Sequence, residues 1–241
     1  MKQFFAAIQF LTTIPVNKDI EFRPSLMISY FPAVGLLLGA VVFLFDYLAS
    51  MLWSVPLVSF LDVVLLIVLT GALHLDGLGD TADGMFSHRS REEKLSIMKD
   101  SRVGVMGVVS IFCVLILKWG AIQEISASRG LILFLVLAYS RTAMMFAIKF
   151  LPYGRPEGGT GKDFFSGRIP PSYFWGLLVL VPLSFLMGWR AVWFNLVFVL
   201  FTAAILIYYY RSLKCVTGDN LGALNEMTEA ILFLTAGAGM G

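Results

Sequence analysis

Apolar runs such as VVLLIVLTGA and LILFLVLAY dominate the chain and are parted by short polar stretches such as NKDIEFRPS, SHRSREEK and GRPEGGTGKDF. A bilayer core of about 30 Å is crossed by about 20 mostly apolar helical residues, because in lipid only a helix or a closed barrel satisfies the backbone polar groups. Windows near 30–50, 56–75, 103–123, 131–151, 173–188, 190–210 and 221–239 meet or nearly meet that requirement, the fifth and seventh being the weakest. The pattern predicts an all-α, polytopic transmembrane helix bundle of six or seven spans, forming one integral membrane domain over residues 1–241. Residues 3–16 are too short to span. Phe4, Ile8 and Leu11 recur there at helical spacing, which predicts an N-terminal interfacial helix ending at NKDIEFRPS. No internal repeat or low-complexity linker interrupts the series.

Composition agrees with this reading. Of the 241 residues 58% are hydrophobic and 14% charged, against about 25% charged in an ordinary globular domain. The opening MKQFFAAIQFLTTIPV lacks an Ala-x-Ala-like cleavage site and Pro15 closes its apolar stretch, so a retained N-terminus is expected. Two cysteines, Cys113 and Cys215, make neither a disulfide framework nor a CxxC metal site. A net charge of +2 is too small for a nucleic-acid footprint.

The distribution of charge is more informative than its sum, because cytoplasmic loops of membrane proteins carry the excess of Lys and Arg. With the N-terminus inside, the cytoplasmic side collects Lys2, Lys18, Arg23, Arg89, Arg91, Lys94, Lys99, Arg102, Lys149, Arg155, Lys162, Arg168, Arg211 and Lys214. The far side receives Lys118, Arg129 and Arg190, and Arg141 falls inside a span. The expected location is the cell membrane, multi-pass, with the polar segments LHLDGLGDTADG, MKDSRVG, YGRPEGGTGKDFFSGR and CVTGDNLGALNEMTE all facing the cytoplasm. One-sided polar loops suit a surface or half-membrane active site better than a channel.

In LHLDGLGDTADGMF, Asp76, Asp80 and Asp83 lie at about 0°, 40° and −20° around a helix, within one stripe. Unpaired, they repel one another, so a cation is expected among them. Oxygen donors favour Mg²⁺ or Mn²⁺ over zinc, which prefers His and Cys. Solvated acids at a helix end are the plain alternative. Gly77, Gly79 and Gly84 permit close approach of another helix or a ligand. His74 points about 160° from Asp76, which assigns it to helix packing or to the membrane interface and not to a metal.

In MKDSRVGVMG, Asp100 is a candidate fourth ligand or general base, while Lys99 and Arg102 are candidate phosphate contacts, Arg by its planar fork. A solvated positive-inside loop is the competing reading. Gly104 and Gly107 would let a neighbour pack closely. Arg141 stands mid-span and needs a partner: an aspartate of the stripe, a buried phosphate, or a structural pair within the bundle. In GRPEGGTGKDF, Pro156 and Asp163 break the P-loop pattern, leaving a glycine-rich connector whose Lys162 is a candidate phosphate contact. Asp219, Glu226 and Glu229 would share one side of the last helix, a second acidic face, although acids also suit a helix N-terminus. Acidic helix ends flanked by Arg and Lys are what transfer at a phosphate or diphosphate needs: metal ions neutralise charge while nucleophile and leaving group are aligned.

HLDGLGDTADG, MKDSRVGVMG and TGDNLGALNE, in that order between apolar spans, resemble the cobalamin synthase family, the adenosylcobinamide-GDP ribazoletransferases. The resemblance extends from FLTTIPV through SYFPAVG to the last helix. It implies an integral membrane, Mg²⁺-dependent enzyme that joins adenosylcobinamide-GDP to α-ribazole or its 5′-phosphate. The products would be adenosylcobalamin or its 5′-phosphate, and GMP. A ribazole hydroxyl would attack the phosphate on the cobinamide arm. The chemistry is similar to that of CDP-alcohol phosphotransferases, but this chain lacks their DxxDG-xx-AR pattern, since Thr81 and Ala82 follow Asp80 and no Ala-Arg follows Gly84. Ligand roles for Asp76, Asp80 and Asp83 therefore rest on their shared face. A prenyltransferase would want a second dense Asp-rich segment. An ion-coupled transporter would want polar groups near the midplane, where Arg141 is expected to stand alone. Oligomeric state is open, a homo-oligomer included.

Overall fold

The computed structural model describes residues 2–16, 23–155, 158 and 161–238, and these form an all-helical bundle without a strand. Lys18, most of the NKDIEFRPS boundary, and Pro156 lie outside the described residues. The elements in chain order are α1 (Lys2–Leu11), α2 (Pro24–Met27), α3 (Phe31–Ala49), α4 (Val55–Thr70), α5 (Leu73–Met85), α6 (Arg91–Ile97), α7 (Val105–Gln123), α8 (Arg129–Phe150), α9 (Leu177–Ser184), α10 (Arg190–Leu213) and α11 (Gly218–Gly237).

Four helical stretches among the described residues are long and apolar enough to cross a bilayer: Pro24–Ala49, α7, α8 and α10. A fifth results if α4 and α5 count as one broken span. The seven sequence windows are thus of unequal standing. The window at 56–75 stops at Thr70, where Gly71 and Ala72 both adopt left-handed backbone and turn α5 by 92° from α4. The window at 173–188 is broken into 3-10 and α segments around Pro182, within Pro171–Met187. The window at 221–239 is α11, which starts earlier, at Gly218, and carries buried acids.

α8 is the axis of the bundle. Its most apolar stretch is 83% buried, against 22–44% in the other spanning helices, whose outer faces remain free for lipid. α3 lies tightly along it because Gly35 and Gly39 present bare backbone: a Cβ at Gly39 would stand 2.6 Å from Phe134 Cα and one at Gly35 would overlap the Leu137 carbonyl. At the far end of this pair, Arg129 opens α8 and bridges Asp46 of α3 to Asp62 of α4, at 2.7 and 3.1 Å. At the other end, Phe31 of α3 and Ile148 of α8 border a cavity together with Asp76 and Asp219. α1 is helical as expected and buries Ala6, Ala7, Ile8 and Leu11 while Phe5 stays exposed.

Candidate functional site

α5 is short, glycine-rich and held on two sides. Its Gly77 faces the start of α11, where a Cβ would come within 2.7 Å of the Asp219 carbonyl oxygen and 2.9 Å of its Cα. Gly222 reciprocates, with a Cβ position 3.0 Å from the His74 carbonyl oxygen. This bare contact brings Asp219 to the acidic stripe. Asp80, half-buried, lies in the electrostatic field of Asp219, Asp76 and Asp83, with Arg155 as the opposing cation.

Arg155 arrives from the connector after α8. There Gly154 N–H donates to the Val216 carbonyl and Val216 N–H to the Pro152 carbonyl, both at 2.9 Å, in a small parallel bridge between Tyr153 and Val216. The bridge sets Arg155 Nη2 2.6 Å from Asp219 Oδ2 and 2.9 Å from the Met98 carbonyl. Burial raises the Asp219 carboxyl above the usual carboxylate range, and the Arg155 guanidinium opposes that rise. Thr217 caps α11 in a capping box with Asn220, and Asn220 Nδ2 donates to Thr81 of α5 at 3.2 Å, so helix start and stripe are fixed to each other.

Asp83 is tied down differently. The N–H groups of Gly104 and Gly107, at the start of α7, donate to its Oδ2 and Oδ1 at 2.7 and 2.8 Å. The carboxylate satisfies backbone donors of a helix N-terminus, favourable both as hydrogen bonds and against the helix dipole. The expected close packing at Gly104 and Gly107 is packing against Asp83 itself.

Asp100 does not join the stripe as the sequence led one to expect. Its two oxygens are held by Arg102, Nε at 3.0 Å and Nη2 at 2.6 Å, on an exposed loop, and this contact depresses its carboxyl to about 2. The reason is local: a two-residue separation lets the guanidinium fork close on its own neighbour. Lys99 and Lys162 are exposed, Lys162 next to Gly161 at the cavity edge.

The second acidic face divides. Asp219 faces the stripe, whereas Glu226 and Glu229 lie about two and three turns further along α11 and are 5% and 1% exposed. Lys118 Nζ of α7 donates to both, at 2.5 and 2.6 Å, and Arg141 of α8 pairs with Glu229. Two expectations are corrected here. Lys118 is a buried member of α7 and not a far-side loop cation, and Arg141 is not alone at its depth. Of the partners considered for Arg141, the structural pair within the bundle is the one formed. The void beside these four residues is only about 10 Å³, roughly the room for a single water at most. The cluster is a charge-balanced clamp of α7, α8 and α11.

The cavity at the stripe has a volume of about 150 Å³. Asp76, Asp219, Gly77, Gly161 and Gly218 make its polar end, and Phe10, Leu11, Phe31, Met144, Ile148 and Phe164 its apolar wall. Such a site suits a cation, and an anionic group only by way of that cation, at one end and an apolar surface at the other. The donor set at the acidic end is all oxygen, with one arginine against four neighbouring aspartates, which fits a hard divalent cation. Among the described residues no group of three His, Cys, Asp or Glu side chains is arranged to hold a metal ion by itself.

Arg155 and Lys118 are the residues that sequence reasoning missed. Arg155 was visible only as one of many cytoplasmic cations, and Lys118 had a signal, a lone lysine amid an apolar helix, that its nearness to a predicted span end obscured.

No solved structure matches the chain. The model of the cobalamin-5-phosphate synthase family matches residues 3–237. Curated relatives are similar over their whole length. An adenosylcobinamide-GDP ribazoletransferase of Clostridium novyi is 34% identical, covering 97% of this chain and 96% of the relative. One of Brevibacillus brevis is 34% identical with 97% of each chain covered, and one of Thermosynechococcus vestitus 35% identical with 97% and 95% covered. A match of this extent over a membrane bundle, with the acidic stripe of α5 inside it, shows that the chain belongs to the cobalamin-5-phosphate synthase family.

Proposed function

We propose that this chain transfers the phosphocobinamide part of adenosylcobinamide-GDP to α-ribazole or its 5′-phosphate and releases GMP, from a site on the cytoplasmic face of the cell membrane. The family gives the reaction. The observation that carries the location is the meeting of Asp80 and Arg155 with Asp76 and Asp219, the two acids that line the cavity. The excess of Lys and Arg on the loops of that end favours the cytoplasmic side. α1, half-buried and amphipathic, is read as lying at the membrane interface beside the cavity it borders through Phe10 and Leu11.

In this reading the ribazole hydroxyl oxygen bonds to the phosphorus on the cobinamide side of the diphosphate. The bond from that phosphorus to the bridging oxygen breaks, and GMP leaves with the electron pair. The hydroxyl proton passes to a carboxylate, for which Asp80 is the half-buried stripe member not already held by the backbone N–H groups that Asp83 accepts from. Asp76, Asp80 and Asp219 are the residues that would hold Mg²⁺, or Mn²⁺ in its place, and the cation when bound neutralises the diphosphate. Arg155 orients Asp219 and adds positive charge beside the leaving phosphate. Asp83 docks α5 on the start of α7, and so fixes the direction of the stripe. Lys162, next to Gly161 of the cavity lining, and Lys99 and Arg102, on the loop before α7, are read as exposed cations for substrate phosphate, with Asp100 held by Arg102. The apolar wall receives uncharged parts of the substrates and excludes water.

Glu226 and Arg141 are read as holding the bundle together and not as contacts to substrate. Release of GMP from adenosylcobinamide-GDP by the reconstituted protein, dependent on α-ribazole and Mg²⁺, tests the proposal.

A further inference from the structure

His74 stands at the first turn of α5, is 2% exposed, and borders the same cavity as Asp76 and Asp219. Its Nδ1 lies 3.2 Å from Asn225 Nδ2, and the same Asn225 nitrogen lies 3.1 Å from Glu229 Oε1. Its Nε2 is buried and has no partner.

These contacts fix where the ring proton is. Glu229 is paired with both Arg141 and Lys118 and is therefore an acceptor only. A carboxylate beside Asn225 forces the amide to present its NH₂ and not its oxygen. The two amide hydrogens then serve Glu229 and His74, so Nδ1 of the ring accepts and the proton sits on Nε2. The result is a buried N–H donor with nothing to donate to, in a residue that walls a cavity. Buried donors in native structures are nearly always satisfied, and the place of His74 in the cavity lining points to an acceptor on a bound ligand.

We propose that His74 is a substrate-binding residue whose Nε2–H donates to a phosphate oxygen of the nucleotide-linked substrate, and that Asn225 is its positioning residue. The identity of that oxygen rests on the function proposed above. The tautomer rests only on Glu229, Asn225 and His74. On this reading the clamp of Lys118, Arg141 and Glu229 has a second role, because it holds the carboxylate that orients the amide that orients the ring.

The chain has two histidines, and the second, His88, is exposed on the loop after α5. Full-length protein carrying His88→Gln and ring-¹⁵N histidine, reconstituted in lipid, therefore reports His74 alone. The expected spectrum has a proton directly bonded to Nε2 and a bare Nδ1, and addition of adenosylcobinamide-GDP with Mg²⁺ shifts the Nε2 resonance. Asn225→Leu should let a population with the proton on Nδ1 appear. In kinetics, His74→Gln, whose amide N–H stands where Nε2–H was, should keep KM for adenosylcobinamide-GDP within about threefold, and His74→Phe should raise it about tenfold, the loss of one hydrogen bond. A proton found on Nδ1, or an Nε2 resonance unmoved by substrate in protein that releases GMP, overturns the inference. So does a His74→Phe enzyme with wild-type KM. Failure of the wild-type chain to release GMP would count against the function proposed above, while the tautomer would still be read from the spectrum. Should His74→Phe fail to fold, the spectrum and its response in the His74-containing protein decide alone.

Discussion

Arg155 and Asp219 are joined by an ion pair of 2.6 Å across 64 residues of chain. Asp219 is the acid that α11 adds to the stripe of α5, so Arg155 is the counter-charge at the point where the two helices meet. Arg155→Ala is expected to lower GMP release by roughly 10²-fold, the scale of losing one preorganised charge donor in an active site. Arg155→Lys should recover part of it, because a lysine restores the charge and not the fork. Steady-state GMP release in reconstituted vesicles measures both.

Asp83 and Asp80 share a helix face and should respond differently to the same change. Asp83→Ala removes the acceptor for Gly104 and Gly107 N–H, with an expected stability loss of roughly 0.5–2 kcal/mol, that of a lost helix cap. Asp80→Asn should leave the thermal midpoint unchanged and abolish turnover. Thermal unfolding in detergent beside the GMP assay separates the two roles, and an Asp80→Asn enzyme with near-normal turnover would remove Asp80 from the mechanism.

The stripe itself was legible in the sequence because its spacing and the helical period are both local. Arg155 was not, because only the bridge between Tyr153 and Val216 brings it to Asp219, and nothing in YGRP announces that contact. The bend between α4 and α5 was hidden by continuity of composition: VLTGALHL stays apolar through Gly71 and Ala72, and two left-handed residues are what turn it. Lys118 was misread because its position near a predicted span end made it look like a loop flank. The docking of Asp83 uses backbone donors, which carry no side-chain signature at all.

The buried clamp gives a stability prediction. Glu229→Gln leaves Lys118 and Arg141 short of negative charge in the interior, and breaking such a pair costs about 3–5 kcal/mol. Lys118→Met combined with Glu226→Gln removes one charge of each sign and should be less destabilising than Lys118→Met alone. Thermal midpoints of the three variants in one detergent check the order.

Close backbone contact gives a further one. Gly77→Val should displace the start of α11, because its Cβ would lie 2.7 Å from the Asp219 carbonyl oxygen. Activity should fall below detection while the spanning helices persist, which circular dichroism and the GMP assay together report.

A divalent cation is expected to be required. Chelation should stop GMP release, and Mg²⁺ or Mn²⁺ should restore it where Zn²⁺ does not, since the donors at the stripe are oxygens. Restoration by zinc alone would contradict the assignment.

The most direct measurement follows GMP from adenosylcobinamide-GDP, α-ribazole and Mg²⁺ with lipid-reconstituted wild-type protein and Asp80→Asn side by side. The account predicts GMP equimolar with the cobalamin product from the wild type and none from the folded variant. Absence of GMP from folded wild-type protein, or equal release from both, would contradict it.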